Sequence, residues 1–310
     1  MQTVTLARNA MATRFELVLH GADPAALRAA GEEALDEVDR LENQLSLYRP
    51  GSEIAQLNAR AAREPVRVSP ELFTLLKLTQ RLHTETGGAF DITVAPLVKC
   101  WGFMGDPGKM PSPESVSEAQ GRVGMQHVQF DDANRTIRFA REGVMLDLGA
   151  IGKGYAVERG AELLREAGVT SALFHGGTST VCAIGHPPEA AAWSVAIERP
   201  PASIGTIRFP ELSPVRLKDE SLSISAVWGR AFQSEGRNFG HVMDPRTGQP
   251  VEAAWLSAVA LATGTETDAL STALLTLGSP GLEQLAAARP GLRALLVTRS
   301  GDMETTRGWN

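Results

Sequence analysis

The chain has 310 residues, 43% of them hydrophobic and 21% charged, an ordinary globular composition with length enough for a large core or two lobes. A formal net charge of -6, with no run of Lys and Arg interleaved with aromatics, argues against a nucleic-acid surface. Cys100 and Cys182 are the only cysteines, too few and too far apart for a thiolate metal site or a disulfide framework, so buried free thiols are expected.

In chain order, TVTLARNAMATRFELVLHG alternates in the manner of one or two strands, and Arg8, Arg14 and Glu16 interrupt any secretory apolar run. Asp23-Pro24 then supplies an N-cap and a first-turn proline for a helix. Its buried stripe is Leu27, Gly31, Leu35, Val38, Leu41 and Leu45. Arg49-Pro50-Gly51-Ser52 forms a turn before a short helical stretch ending at Asn58. Ser69-Pro70 opens a second long helix that stops at Gly87-Gly88. In TGGAFDITVAPLVKCWGF, Pro96 excludes a regular central strand.

VQFDDANRTIRFA predicts a hairpin turning at DDAN. VMLDLGAIGKGYAVERGAELLREAGV predicts a short apolar strand, a glycine-rich turn and a helix ending near Gly168. SALFHGGTSTVCAIG predicts a second strand interrupted at Gly176-Gly177. Residues 193–260 hold short strand-like runs broken by Pro200-Pro201, Pro210 and Pro214. A late helix spans Glu266 to Leu277, and Pro280 opens another before a terminal hairpin in LRALLVTRSGDMETT. No internal repeat or long linker divides the chain, and the least charged stretch, 168–185, is too rich in Gly, Ser and Thr to span a bilayer. A single domain, 1–310, of α+β class is expected, with no membrane span.

Three segments concentrate polar groups. In Gly149–Tyr155 the glycines let backbone approach an anion at a helix start. The Walker pattern fails, because Asp147 and Gly154 stand where it needs Gly and Ser or Thr. An anion cradle and a plain strand-to-helix turn with an exposed Lys153 both remain open. In TETDALSTALLTLG, Asp268 and Thr272 are four apart and share one helix face, which suits a hard cation held by few protein oxygens. The plain alternative is an aspartate favoured by the helix dipole and a threonine bonding back to the previous turn. In HVMDPRTGQP, Pro245 biases Asp244 toward extended backbone and Gly248 is free to take positive φ, which makes a tight turn.

Taken in order, MATRFEL, LSLYRPGSEIAQLN, GGAFDITVAPLVKCWGF, LDLGAIGKGYAVER, HVMDPRTGQP and TDALSTALLTLG resemble the ApbE family of FAD:protein FMN transferases, from about Met11 to Gly278. The resemblance implies an ApbE-like flavin transferase fold, with mixed sheets and helices in two tightly joined lobes and the ligand site between them. It also implies transfer of the FMN half of FAD to a Thr or Ser hydroxyl of an acceptor protein, with AMP released and Mg²⁺ required. By the same resemblance Asp268, Thr272 and the carbonyl of Ala150 would bind the metal. His241 would stand near the pyrophosphate and Asp244 would hold its turn in shape. Tyr48, Asn58, Asp91, Gly149, Lys153, Gly177 and Arg246 would serve FAD, Arg246 facing either phosphate or solvent.

Two departures are visible. Thr178 stands where the family usually has Asp after Gly-Gly, and Ala226 where it often has Gly after Ser. They motivate one alternative, a non-catalytic FAD-binding protein; a further alternative, closer to the transferase, is a pyrophosphatase giving FMN and AMP with water as acceptor. No cysteine precedes Cys100 to take a lipid. The expected compartment is the cytoplasm, or the periplasm if an export leader belongs to the full protein.

Overall fold

The computed structural model describes residues 1–201, 209–234 and 236–309; the part of the strand-like reading that falls on 202–208 lies outside them. Strands β1 (Gln2–Ala10) and β2 (Thr13–Gly21) form an antiparallel hairpin. Met11 and Ala12 at its turn both take positive φ, 48° and 57°, the geometry that a two-residue hairpin turn demands. Helix α1 (Pro24–Leu45) starts at Asp23, whose carboxylate accepts the amides of Ala25 and Ala26. Its apolar stripe is buried against the hairpin, and Gly31 lets the two approach: a Cβ there would lie 2.5 Å from a methyl of Leu6.

Helix α2 (Glu53–Arg60), strand β3 (Val66–Arg67) and helix α3 (Pro70–Glu85) follow, with Ser52 and Ser69 as N-caps of the two helices. Helices α4 (Ala95–Cys100) and α5 (Pro113–Gln120) precede β4 (Val128–Asp131) and β5 (Thr136–Phe139), which pair as the expected hairpin beside β3. The chain continues through α6 (Gly152–Glu166), β6 (Ala172–Gly176), β7 (Thr180–Ile184), β8 (Trp193–Val195), β9 (Val215–Leu217) and β10 (Ser221–Ala226). Then come β11 (Ala231–Ser234), β12 (Arg237–Gly240), β13 (Met243–Asp244), β14 (Gln249–Pro250) and β15 (Ala254–Leu261). Helices α7 (Gly264–Leu277) and α8 (Ser279–Ala288) and the hairpin of β16 (Arg293–Thr298) and β17 (Met303–Thr305) complete it.

An eight-stranded sheet in the order β1-β2-β6-β7-β10-β15-β16-β17 organises the molecule, each neighbouring pair antiparallel. Alternation along the strands decides its two faces. Phe174 and Cys182 turn toward α1, α6 and α7 and join the main core, whereas Leu173 and Val181 turn the other way into a second cluster under β8 and β9. A third, smaller cluster joins Leu97, Trp101 and Phe103 to Val116, Phe239 and Met243, and forms a minor lobe beside the main core. The architecture is thus mixed helices and sheets, as the sequence pattern predicts.

Two local expectations are corrected. Val144–Leu148 is not a strand, because its backbone groups are met otherwise: Asn58 Nδ2 donates to the Leu146 carbonyl at 2.9 Å and Asn58 Oδ1 accepts the Leu146 amide at 2.8 Å. The Asp147 amide donates to the Ile92 carbonyl at 2.7 Å. Residues 172–184 are not one interrupted strand but the hairpin β6–β7, reversed at Gly177, whose φ of +67° permits the turn. No helix among the described residues is long and apolar enough to cross a membrane.

Candidate active site

A cavity of about 570 Å³ opens between the main core and the minor lobe, walled by β10, the loop before α6, one face of α7, residues 89–98 and the segment from Trp228 to Pro245. Its floor is the joint of α6 and α7. A Cβ on Gly154 would lie 2.2 Å from the Gly264 carbonyl oxygen and 2.6 Å from Asp268 Cβ, so only glycine lets the helices meet here. The contact brings the Gly154 amide, in the first turn of α6, to Asp268 Oδ2 at 2.9 Å. Asp268 is 3% exposed, and among the described residues no Lys, Arg or His lies within ion-pair distance of it. A buried carboxylate bonded to an amide and to no cationic side chain has the chemistry to hold a cation.

The oxygens nearby suit a hard cation. Thr272 lies one turn on from Asp268 and its hydroxyl is 3.1 Å from that of Ser225 on β10; the backbone of Ala150 lines the same cavity. Among the described residues no cluster of three or more His, Cys, Asp or Glu could hold a metal by itself. One carboxylate with hydroxyl and carbonyl oxygens is a set that Mg²⁺ completes with water and substrate phosphate, not one for a soft metal.

Two fixed cations face the same space. Lys153 Nζ donates to the Gly149 carbonyl at 3.3 Å, and Arg230, whose guanidinium donates to the Phe103 carbonyl, lines the minor-lobe side. Near both lies Asp147, which the sequence reading passed over as a position failing the Walker pattern. Burial raises its carboxyl above the ordinary value, while the Gly149 amide, donating to Oδ1 at 2.8 Å, and the charges of Lys153 and Arg230 pull it down. Its signal in the sequence was the alternation L-D-L ahead of the glycines, which puts one polar side chain inward.

His241 stands on the minor-lobe side, its Nδ1 3.1 Å from the Arg230 carbonyl oxygen and its ring edge-on to Phe103. With the Nδ1 proton donated to that carbonyl, Nε2 carries the lone pair. Burial lowers the pKa of the ring below 6.5, and the charges of Arg230 and Lys153 act the same way against that hydrogen bond, so the ring is neutral at pH 7. Asp244 is turned away from the cavity. Its carboxylate accepts the Arg246 amide and Nε, both at 2.9 Å, and the Arg246 terminal nitrogen at 2.8 Å, while its carbonyl accepts the Gly248 amide at 2.9 Å. Arg246 also donates to the Thr276 carbonyl at 3.3 Å, near the end of α7. Of the two sides left open for Arg246, its side chain lies on the solvent side, 39% exposed and outside the cavity lining, and also ties the turn to α7.

A family model for ApbE matches residues 11–296. The chain belongs to the ApbE family. It is 30% identical over 300 residues to the FAD:protein FMN transferase of Klebsiella pneumoniae, covering 94% of this chain and 83% of that one. The protein of the same name from Treponema pallidum is 33% identical over 288 residues, covering 88% and 78%. Among solved structures, the ApbE protein of Thermotoga maritima superposes with a TM-score of 0.88 at 27% identity, covering 99% of this chain and 97% of that one. The apo flavinyl transferase ApbE of Pseudomonas stutzeri gives 0.82 at 28% identity, covering 98% and 94%.

Against the site residues that the ApbE resemblance implies, Tyr48, Asp91, Gly149, Ala150, Lys153, His241, Asp268 and Thr272 all line the cavity. Tyr48 is 65% exposed, a free ring face at the mouth. Asp91 is engaged with its own loop: Oδ1 accepts the Thr93 amide and hydroxyl at 2.7 and 2.6 Å, and Oδ2 lies 3.2 Å from His83 Nδ1. Asn58 lies outside the cavity, holding Leu146, and Gly177 sits behind Thr178, where a Cβ would lie 2.3 Å from the Thr13 hydroxyl. Both departures, Thr178 and Ala226, lie on the cavity wall.

Proposed function

We propose that this ApbE protein transfers the FMN half of FAD to a Thr or Ser hydroxyl of an acceptor protein, with Asp268, Thr272 and the Ala150 carbonyl holding Mg²⁺ and His241 as base. The observation that carries the reading is the facing of Asp268, a buried carboxylate with no cationic side chain, and His241, a neutral imidazole, across one cavity. The names of its relatives supply the substrate pair, FAD and a protein.

The acceptor oxygen forms a bond to the phosphorus on the riboflavin side while the bond from that phosphorus to the bridging oxygen breaks, and AMP leaves with the bridging oxygen and the electron pair. The hydroxyl proton passes to Nε2 of His241 and from there to solvent. Bound Mg²⁺ would neutralise charge on the pyrophosphate oxygens. Lys153 and Arg230 bind the remaining phosphate charge, and the dipole of α6, whose N-terminus opens at the cavity, favours the anion. Asp244 and Arg246 act at one remove, by fixing the turn that carries His241.

The test is incubation with FAD, Mg²⁺ and the acceptor protein of the Klebsiella pneumoniae relative, followed by a denaturing gel viewed for flavin fluorescence. A fluorescent acceptor band that EDTA removes is the expected result. A dark acceptor with AMP released would replace transfer by pyrophosphate hydrolysis. FAD retained without AMP would leave a binding protein, the reading that Thr178 and Ala226 favour.

A further inference from the structure

A second hollow of about 670 Å³ lies on the sheet face opposite the helices, beside β2, β6 and β8. It meets the candidate active site, because Thr178, Ser179, Glu198 and Ile224 line both. From Ile224 the strand β10 leads one residue on to Ser225, whose hydroxyl touches that of Thr272. Ser225 faces α7 and Ile224 the other side of the sheet, so the second hollow reaches the metal pair only by opening, at its four shared residues, into the cavity that Ser225 and Thr272 line.

Its charge differs from that of the first. Lys153 and Arg230 make the main cavity a place for phosphates. In the second hollow Arg14, the one Arg among the described lining residues, pairs with Glu16 at 2.7 Å, Glu198 is a further carboxylate, and burial holds His175 below its ordinary value of 6.5 and so neutral at pH 7. Such a wall repels a polyanion and offers hydroxyl and carboxylate acceptors to peptide amides. The backbone at the junction points the same way. β7 pairs with β10 only as far as Thr180 opposite Ser223, and the Ser179 carbonyl takes the Ile224 amide at 2.7 Å. Beyond that, Ser225 and Ala226 pair with β15 on one side and, among the described residues, with no strand on the other. These two residues line the main cavity, so the end of a segment arriving through the hollow meets unpaired backbone there.

We propose that this second hollow is the channel for the acceptor polypeptide: an extended segment lies between β2, β6 and β8, and its Thr or Ser reaches the junction at Thr178 and Ser225. The proposal rests on the reading of the chain as a flavin transferase. Nucleotide and acceptor then enter from two sides and meet at the phosphorus, as an in-line displacement requires. Thr178, at the junction, is placed to select among acceptors.

The test uses residues that line only the second hollow. His175→Trp and Ser194→Trp, the latter an exposed position on β8 where folding is not at issue, each fill it. The acceptor KM of wild type and variants is measured with the Klebsiella acceptor protein, and FAD affinity by flavin fluorescence. A photo-crosslinking residue at position 194 is irradiated with the same acceptor in the presence of FAD. The channel predicts an acceptor KM raised about tenfold or more, FAD affinity unchanged within about twofold, and a crosslink to the acceptor. Wild-type transfer with neither a KM change nor a crosslink overturns the channel and leaves the transferase reading standing. A crosslink at 194 without flavin transfer by the wild type overturns the transferase reading instead, and with it the role of the bound segment as flavin acceptor, and leaves only a polypeptide-binding hollow.

Discussion

At the α6–α7 end of the cleft the chemistry-bearing atoms are held by main chain packed on main chain, Gly154 against Gly264, with Asp268 tethered by an amide. At the 241–250 end they are held by side-chain hydrogen bonds, Asp244 to Arg246 within one turn and His241 to the Arg230 carbonyl across the β11–β12 hairpin. The first kind of support is stiff and admits one residue type; the second is a set of replaceable bonds. Under the proposed function, stiffness serves the place where a cation would sit and adjustable contacts serve the base that takes a proton.

The largest effect that would test the contrast is Asp268→Ala, expected to lower transfer by about a thousandfold or more, since a metal supplies several kcal/mol to such a transition state. The gel assay across Mg²⁺ concentrations reads it, and a variant that keeps full activity removes Asp268 from the metal. His241→Asn is expected to cost about a hundredfold to ten-thousandfold, the usual share of a general base. Because the folded ring is held neutral below its ordinary value of 6.5, protonation switches the base off only as pH falls through that lowered value. The wild-type rate therefore declines on the acid side below pH 6.5, and the variant loses that limb; a limb above 6.5 would speak against His241 as base.

Gly154→Ala separates the two kinds of support directly. The added methyl meets a backbone oxygen that cannot step aside, so a loss of about 1–3 kcal/mol of stability is expected, together with weaker Mg²⁺ dependence, measured by thermal melting and titration. Asn58→Ala removes two hydrogen bonds to Leu146 and leaves its buried backbone unsatisfied, for about 1–3 kcal/mol, with FAD affinity reduced only through movement of Asp147. Arg246→Ala is the mildest, at about 1 kcal/mol or less, because the partly exposed pair with Asp244 is screened by water. A loss at Arg246 as large as that at Gly154 would erase the distinction.

Much of this arrangement is legible in the chain because its signals are local. Asp23-Pro24 and Ser69-Pro70 cap the helices where expected, and the four-residue spacing of Asp268 and Thr272 puts both on the cavity side of α7. The misread pieces depend on distant partners. Val144–Leu148 is apolar and alternating like a strand, yet Asn58, 88 residues from Leu146, meets its backbone in place of a neighbouring strand. Arg246 has a partner two residues away and another on α7, and no spacing rule ranks these above phosphate or solvent. Asp147 gains its interest from burial near Lys153 and Arg230, the second of which comes from a distant segment of the chain.

The meeting of Gly154 and Gly264 also bears on how such a site can be moved or altered. A Cβ on Gly264 would lie 2.9 Å from the Gly154 carbonyl oxygen, just as one on Gly154 meets the Gly264 carbonyl, so each glycine sets the terms for the other. Substitutions at the two positions would not combine additively, because the first displacement changes the room left for the second. Grafting Asp268 and Thr272 alone onto another helix would carry the ligands without the joint that aims them. The portable unit is the crossing of two helices.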